Sequence, residues 1–106
     1  MATFYNSAKA NIDSASEILL VSTSDSTVIL SILVANSNGS STADITCQHL
    51  TSSNTVRNNI AFTIPVPSDA NAELLANKYI LPSGEKISVL CSSSGFLDCA
   101  ISYVEV

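Results

Sequence analysis

One thiol and the single imidazole of this chain lie two residues apart, at Cys47 and His49. On an extended strand that spacing puts both side chains on one face, about 7 Å apart, which is half of a metal site. The sequence offers no second pair such as Cys-x-x-Cys, so Cys47 reads as a small packed side chain beside a hydrogen-bonded or partly exposed histidine, and no metal ligand is assigned. A thiol nucleophile fails on the same geometry. Neighbours on one strand face project in parallel, whereas a base must reach the sulfur at hydrogen-bond distance.

Other groups that could carry chemistry read the same way. Ser92-Ser93-Ser94-Gly95 has neither a G-x-S-x-G frame nor a second histidine to activate a hydroxyl, so it reads as turn chemistry. The carboxylate pairs Asp13/Glu17 and Asp69/Glu73 fall in polar connections without the cleft that glycoside hydrolysis requires. Three isolated glycines make no phosphate-binding loop. No catalytic or cofactor-binding residue is assigned, no cofactor is expected, and the chain is expected not to be an enzyme.

What must position these residues is a set of short strands. Apolar, β-branched runs recur from end to end, separated by Ser, Thr, Asn, Gly and Pro. The 106 residues suffice for one domain that buries roughly 65% of its unfolded surface. Charged residues make up only 12% against 46% hydrophobic, a composition suited to a surface partly covered by neighbours. The net charge is −5 and the four cations Lys9, Arg57, Lys78 and Lys86 are scattered, which argues against nucleic-acid binding. No apolar run reaches the ~18–20 residues of a membrane span, and Met1-Ala2-Thr3 opens without the pattern of a signal peptide. Synthesis in a cytoplasm is therefore expected. Cys47, Cys91 and Cys99 read as reduced buried thiols, with a Cys91–Cys99 pairing across a hairpin as the alternative.

Residues 1–12 read as an N-terminal arm, whose exposed Phe4 and Tyr5 would dock on something, and residues 13–106 as a single sandwich domain. Glu17 to Val21 reads as a strand, Ser24-Asp25-Ser26 as a turn, and TVILSILVAN as the strongest strand. Simple alternation puts Val28, Leu30, Ile32 and Val34 on one of its faces and Ile29, Leu33 and Ala35 on the other, so both are apolar. Ile29 and Leu33 thereby join Phe4 and Tyr5 as candidate interface residues. Asn38-Gly39 predicts a tight hairpin into TADITCQHL. Ile60, Phe62, Ile64 and Val66 alternate onto one face of a strand that Pro65 confines to an edge. The stretch ANAELLANKYIL predicts an extended segment, with one or two helical turns as the alternative. Leu81-Pro82-Ser83-Gly84 matches a type I turn, and strands from Lys86 to Ser92 and from Leu97 to Val106 complete about eight. The fold expected is all-β, an antiparallel two-sheet sandwich of jelly-roll or immunoglobulin-like type.

The segments ATFYNSAKANI, ILSILVANSNGSS, ELLANKYILPSGEKISVLCSSSG and AISYVEV resemble the small virion structural proteins of tailed bacteriophages, especially marine and cyanobacterial ones, over nearly the whole chain. The three cysteines and the helix-like composition around Leu74 and Leu75 depart from that pattern. The resemblance implies a non-enzymatic virion component without catalytic residues. Its first reading is a head decoration protein that stabilises the capsid by binding the assembled lattice. A neck or tail structural protein is the alternative. The partners implied are the major capsid protein or neck and tail proteins, together with further copies of the chain. A carbohydrate-binding sandwich is a further alternative, thinly supplied with six aromatics and no Trp.

Overall fold

The computed structural model describes residues 3–23 and 25–105. These residues form nine strands: β1 (Thr3–Lys9), β2 (Glu17–Val21), β3 (Ser26–Asn36), β4 (Ala43–Leu50), β5 (Val56–Val66), β6 (Asn71–Glu73), β7 (Tyr79–Pro82), β8 (Lys86–Cys91) and β9 (Leu97–Glu105). Sheet A has the order β1-β9-β3-β6, with β7 also on β3, and sheet B has the order β2-β8-β4-β5. Every ladder is antiparallel. Because β6 pairs with Leu33–Ala35 and β7 with Ser26–Ile29, the two are halves of one interrupted strand. Counted so, the sandwich has eight strands in the interleaved order of a jelly roll, which decides against the immunoglobulin-like alternative.

The core lies between the sheets. β3 contributes Ile29, Ile32 and Val34, β8 contributes Ile87 and Val89, and β9 contributes Leu97 and Ile101, all buried. Each such side chain stabilises the fold by roughly 1.5–3 kcal/mol. Ile29 and Ile32 are three residues apart yet both point inward, which alternation alone forbids. The register of β3 against β9 slips between Ile29 and Ser31, and the extra residue of this β-bulge brings the second half of the strand back into phase. The Glu73 carboxylate closes the bulge, accepting from the Ile32 amide at 2.8 Å, the Leu75 amide at 3.2 Å and the Ser31 hydroxyl.

Several expectations are corrected. Within residues 1–12, Met1 and Ala2 lie outside the described residues, and Thr3–Lys9 is not an arm but an edge strand paired along its length with β9. Ile12 is fully buried, and the chain changes sheets there: its amide bonds to Leu97 of sheet A, while the carbonyl of Asp13 accepts from Cys91 of sheet B. Ile29 is fully buried too and cannot be an interface residue. The turn placed at Ser24-Asp25-Ser26 includes Ser24, which lies outside the described residues.

No hairpin follows Asn36, because β3 and β4 belong to different sheets. Gly39 is not left-handed; instead the Asn38 carboxamide oxygen caps the Ser40 and Ser41 amides at 2.9 Å. The Asn36 carboxamide donates to the carbonyls of Ser41 at 3.0 Å and Val66 at 2.8 Å and accepts from the Asn38 amide, tying β3 to β5 across the sandwich.

The turn expected at Leu81-Pro82-Ser83-Gly84 is shifted by one residue. The Glu85 amide bonds to the Pro82 carbonyl, with Gly84 at φ 81°, the positive angle that a type II turn needs at its third position. β5 is an edge strand, in keeping with Pro65, but its register slips three times against β4 and Thr63 is forced to φ 50°. Ala61 and Val66 consequently face inward while Phe62 and Ile64 are exposed. Residues 71–82 are extended and interrupted, without a helix. Cys91 and Cys99 lie on strands of opposite sheets rather than across a hairpin, and all three thiols are free and buried.

Asn36→Ala leaves the Ser41 and Val66 carbonyls and the Asn38 amide without their buried partner. It is expected to lower stability by about 2–3 kcal/mol, visible in thermal unfolding as a drop of roughly 10 °C or more.

Candidate functional site

His49 does not address Cys47. Its ring, buried where β4 faces β7, lies 2.7 Å from the Tyr79 hydroxyl through Nδ1 and 2.6 Å from Glu85 through Nε2. A carboxylate only accepts, so Nε2–H donates to Glu85 Oε1, while Nδ1 shares a hydrogen bond with the Tyr79 hydroxyl. Asn58 donates to the Tyr79 oxygen at 3.1 Å. Arg57 grips both Glu85 oxygens, from Nε at 3.0 Å and Nη2 at 2.6 Å, and holds this carboxyl below its ordinary value of 4.5. The chain carboxylate–imidazole–hydroxyl has the connectivity of a catalytic relay, but its terminal hydroxyl is occupied by Asn58. The surface depression lined by Leu30, Leu75, Ala76, Asn77 and Lys78 contains none of these groups. The cluster works as a polar clamp between β4, β5 and β7, closing one end of the sandwich.

The thiols have no partner for chemistry. Burial pushes the Cys47 and Cys99 thiols up to about 12, so they stay protonated. The Cys91 thiol donates to the Ser93 carbonyl at 2.9 Å. Among the described residues no cluster of His, Cys, Asp or Glu could hold a metal ion. Asp13 caps the Ser14 amide and accepts from Ser94, Glu73 closes the bulge, and Glu17 pairs with Lys9 at 3.8 Å.

The remaining candidates converge on a surface. Phe4 is 73% exposed on β1, and Tyr5 stacks on Tyr103 with ring centroids 5.5 Å apart. Register places Phe4 beside Val104, Val104 beside Val28, and Val28 beside Ile80, one row of apolar side chains crossing all of sheet A on its outer face. A second row joins Ala8, Ala100 and Leu33, with Leu33 exposed. Thus Phe4 and Leu33 lie on the outer face of sheet A, whereas Tyr5, in register with Tyr103 and Ile29, lies on the inner-facing side at the half-open β1 edge. Val28, Val104 and Ile80 escaped the sequence reading because membership of the band depends on pairing between strands distant in sequence. Among the described residues, the large exposed apolar side chains apart from Leu33 lie on strands at sheet edges: β1, β2, β5 and β7. No helix among these residues is long and apolar enough to cross a membrane.

No protein-family model matches the chain, and no curated protein matches its sequence. Solved structures do share its fold. A subunit of the Bacillus endospore appendages, described as disulfide-linked pili, superposes with a TM-score of 0.59 at 9% identity over 99% of this chain and 88% of that one. A chain of the T13 viral particle of infectious bursal disease virus gives 0.55 at 7% identity over 97% of this chain and 30% of that one. The VP2 subviral particle of the same virus gives 0.54 at 12% identity, covering 98% and 33%. The chain therefore spans nearly all of the pilus subunit and about a third of the viral chains.

The clamp makes a specific demand on stability. His49→Ala opens a cavity and strips Tyr79 and Glu85 of a partner, and should destabilise the fold by about 2–3 kcal/mol. Added zinc or chelator should leave the thermal midpoint of the unaltered protein unchanged; a zinc-dependent rise lost in His49→Ala would reveal a metal site.

Proposed function

We propose that this chain is a non-enzymatic structural subunit of a tailed-phage virion, with decoration and stabilisation of the head as its task. The observation that carries the reading is the contrast between interior and surface. The nucleophile and base candidates are consumed by packing and by the clamp, while a row of apolar side chains crosses the outer face of sheet A and is exposed at its two ends, Phe4 and Ile80. Proteins that expose such bands bury them against neighbours. A subunit that binds only an assembled lattice stabilises that lattice by mass action, without needing a cleft.

The likeness to a capsid protein and to a pilus subunit supports an assembling role at the level of fold. The pilus subunit, matched over most of its length, is what favours a second reading, a component of the tail or collar. Under either reading the partners are other particle proteins and further copies of the chain.

Antibody-gold labelling of purified particles, with copy number measured against the major capsid protein, tests this. Hundreds of copies over the head are expected; a few dozen at one vertex or along the tail would move the chain to the second reading. Absence from purified particles would overturn both.

A further inference from the structure

We propose that two copies of this chain pair through β1, antiparallel about a twofold axis at Asn6, so that their sheets A join into one. The inference begins from the edges. β5 is blocked by Pro65 and three register slips, β2 is five residues long with a slip of its own, and β6 and β7 have three and four residues. β1 alone among these edges is regular. Its seven residues run without bulge or proline and carry no charge from Thr3 to Ala8. Edge strands are normally protected by charge, proline, bulge or brevity, and β1 lacks these devices along most of its length. An edge of this chain that seeks a matching edge on another copy therefore finds only β1.

The register then follows. With the axis at Asn6, Thr3 faces Lys9 of the second copy, Phe4 faces Ala8, Tyr5 faces Ser7, and Asn6 faces itself. All seven residues pair, the two Lys9 ammonium groups fall at opposite ends, and no like charges oppose one another. Antiparallel pairing about such an axis puts both outer faces on the same side. The apolar row ending at Phe4 therefore continues across the seam into Ala8, Ala100 and Leu33 of the second copy. The small side chains of Ala8 and Ala100 leave room for a Phe4 ring that is 73% exposed in one copy alone. The seam is short by the standard of permanent interfaces, so the pair should be weak and concentration-dependent.

The pairing does not depend on the virion reading, since it holds or fails in purified protein. Sedimentation equilibrium of the full chain from about 1 μM to about 1 mM should show a monomer–dimer equilibrium. Asn6→Lys places like charges across the axis and should weaken the dimer at least tenfold, as should Phe4→Ala. Both substitutions fall on exposed residues, and circular dichroism should show both variants folded. An equimolar mixture of Asn6→Lys and Asn6→Glu should recover association. A monomer at every concentration would overturn self-pairing and leave the edge to a strand of another protein. Dimers indifferent to both substitutions would overturn β1 as the seam, and a mixture that stays monomeric would overturn the axis at Asn6.

Discussion

Between Ile29 and Ser31 the central strand of sheet A carries one residue more than its partner β9, and the Glu73 carboxylate holds that kink by binding the Ile32 amide and the Ser31 hydroxyl. Much of the remaining arrangement depends on this. Without the extra residue, Ile32 and Val34 would turn outward wherever Ile29 turned inward, and half of the central strand would leave the core. With it, Ile29, Ile32 and Val34 share the inner face, while Val28 and Leu33 share the outer one. The residue that closes the kink comes from β6, so the interrupted outer strand and the bulged central strand are parts of one solution.

Polar groups complete what the bulge begins. Among the described residues, β4 and β5 are the only consecutive strands that pair with each other, so ladders alone do little to join neighbouring segments of the chain. Buried hydrogen bonds tie the two sheets instead: Asn36 reaches from β3 to the Val66 carbonyl, and His49 reaches from β4 to Tyr79. Such groups are costly unless satisfied, and here they are satisfied by residues from the opposite sheet.

Strand identity was legible in the sequence in β2, which falls where Glu17 to Val21 was read as a strand, and alternation was clean in the inward set Ile87, Val89 and Cys91. What was not legible depends on which strands pair. The period-two reading of β3 passed through an inserted residue that only the β9 register reveals, and Ile29 was thereby assigned to the wrong face. β5 failed for the same reason, since its slips expose Phe62 and Ile64. The Asn-Gly signal marked a real turn, but one closed by asparagine side chains, because the following strand crosses to the other sheet. Of the candidate interface residues, Phe4 and Tyr5 were proposed from the cost of exposing two aromatics and Leu33 from the alternation of β3, and all three are exposed. Val104, Val28 and Ile80 join the row of Phe4 only through long-range pairing.

The interior of this molecule is thus closed by its own residues, while its outer face and the β1 edge are left open. Residue-resolved amide hydrogen exchange at low and high protein concentration addresses that division most directly. The expected result is that protection rises with concentration at outward-pointing amides of Thr3–Lys9 and stays unchanged along β3, β5 and β8. A gain confined to β5 or β2, or none along β1 under conditions where the protein associates, would contradict it.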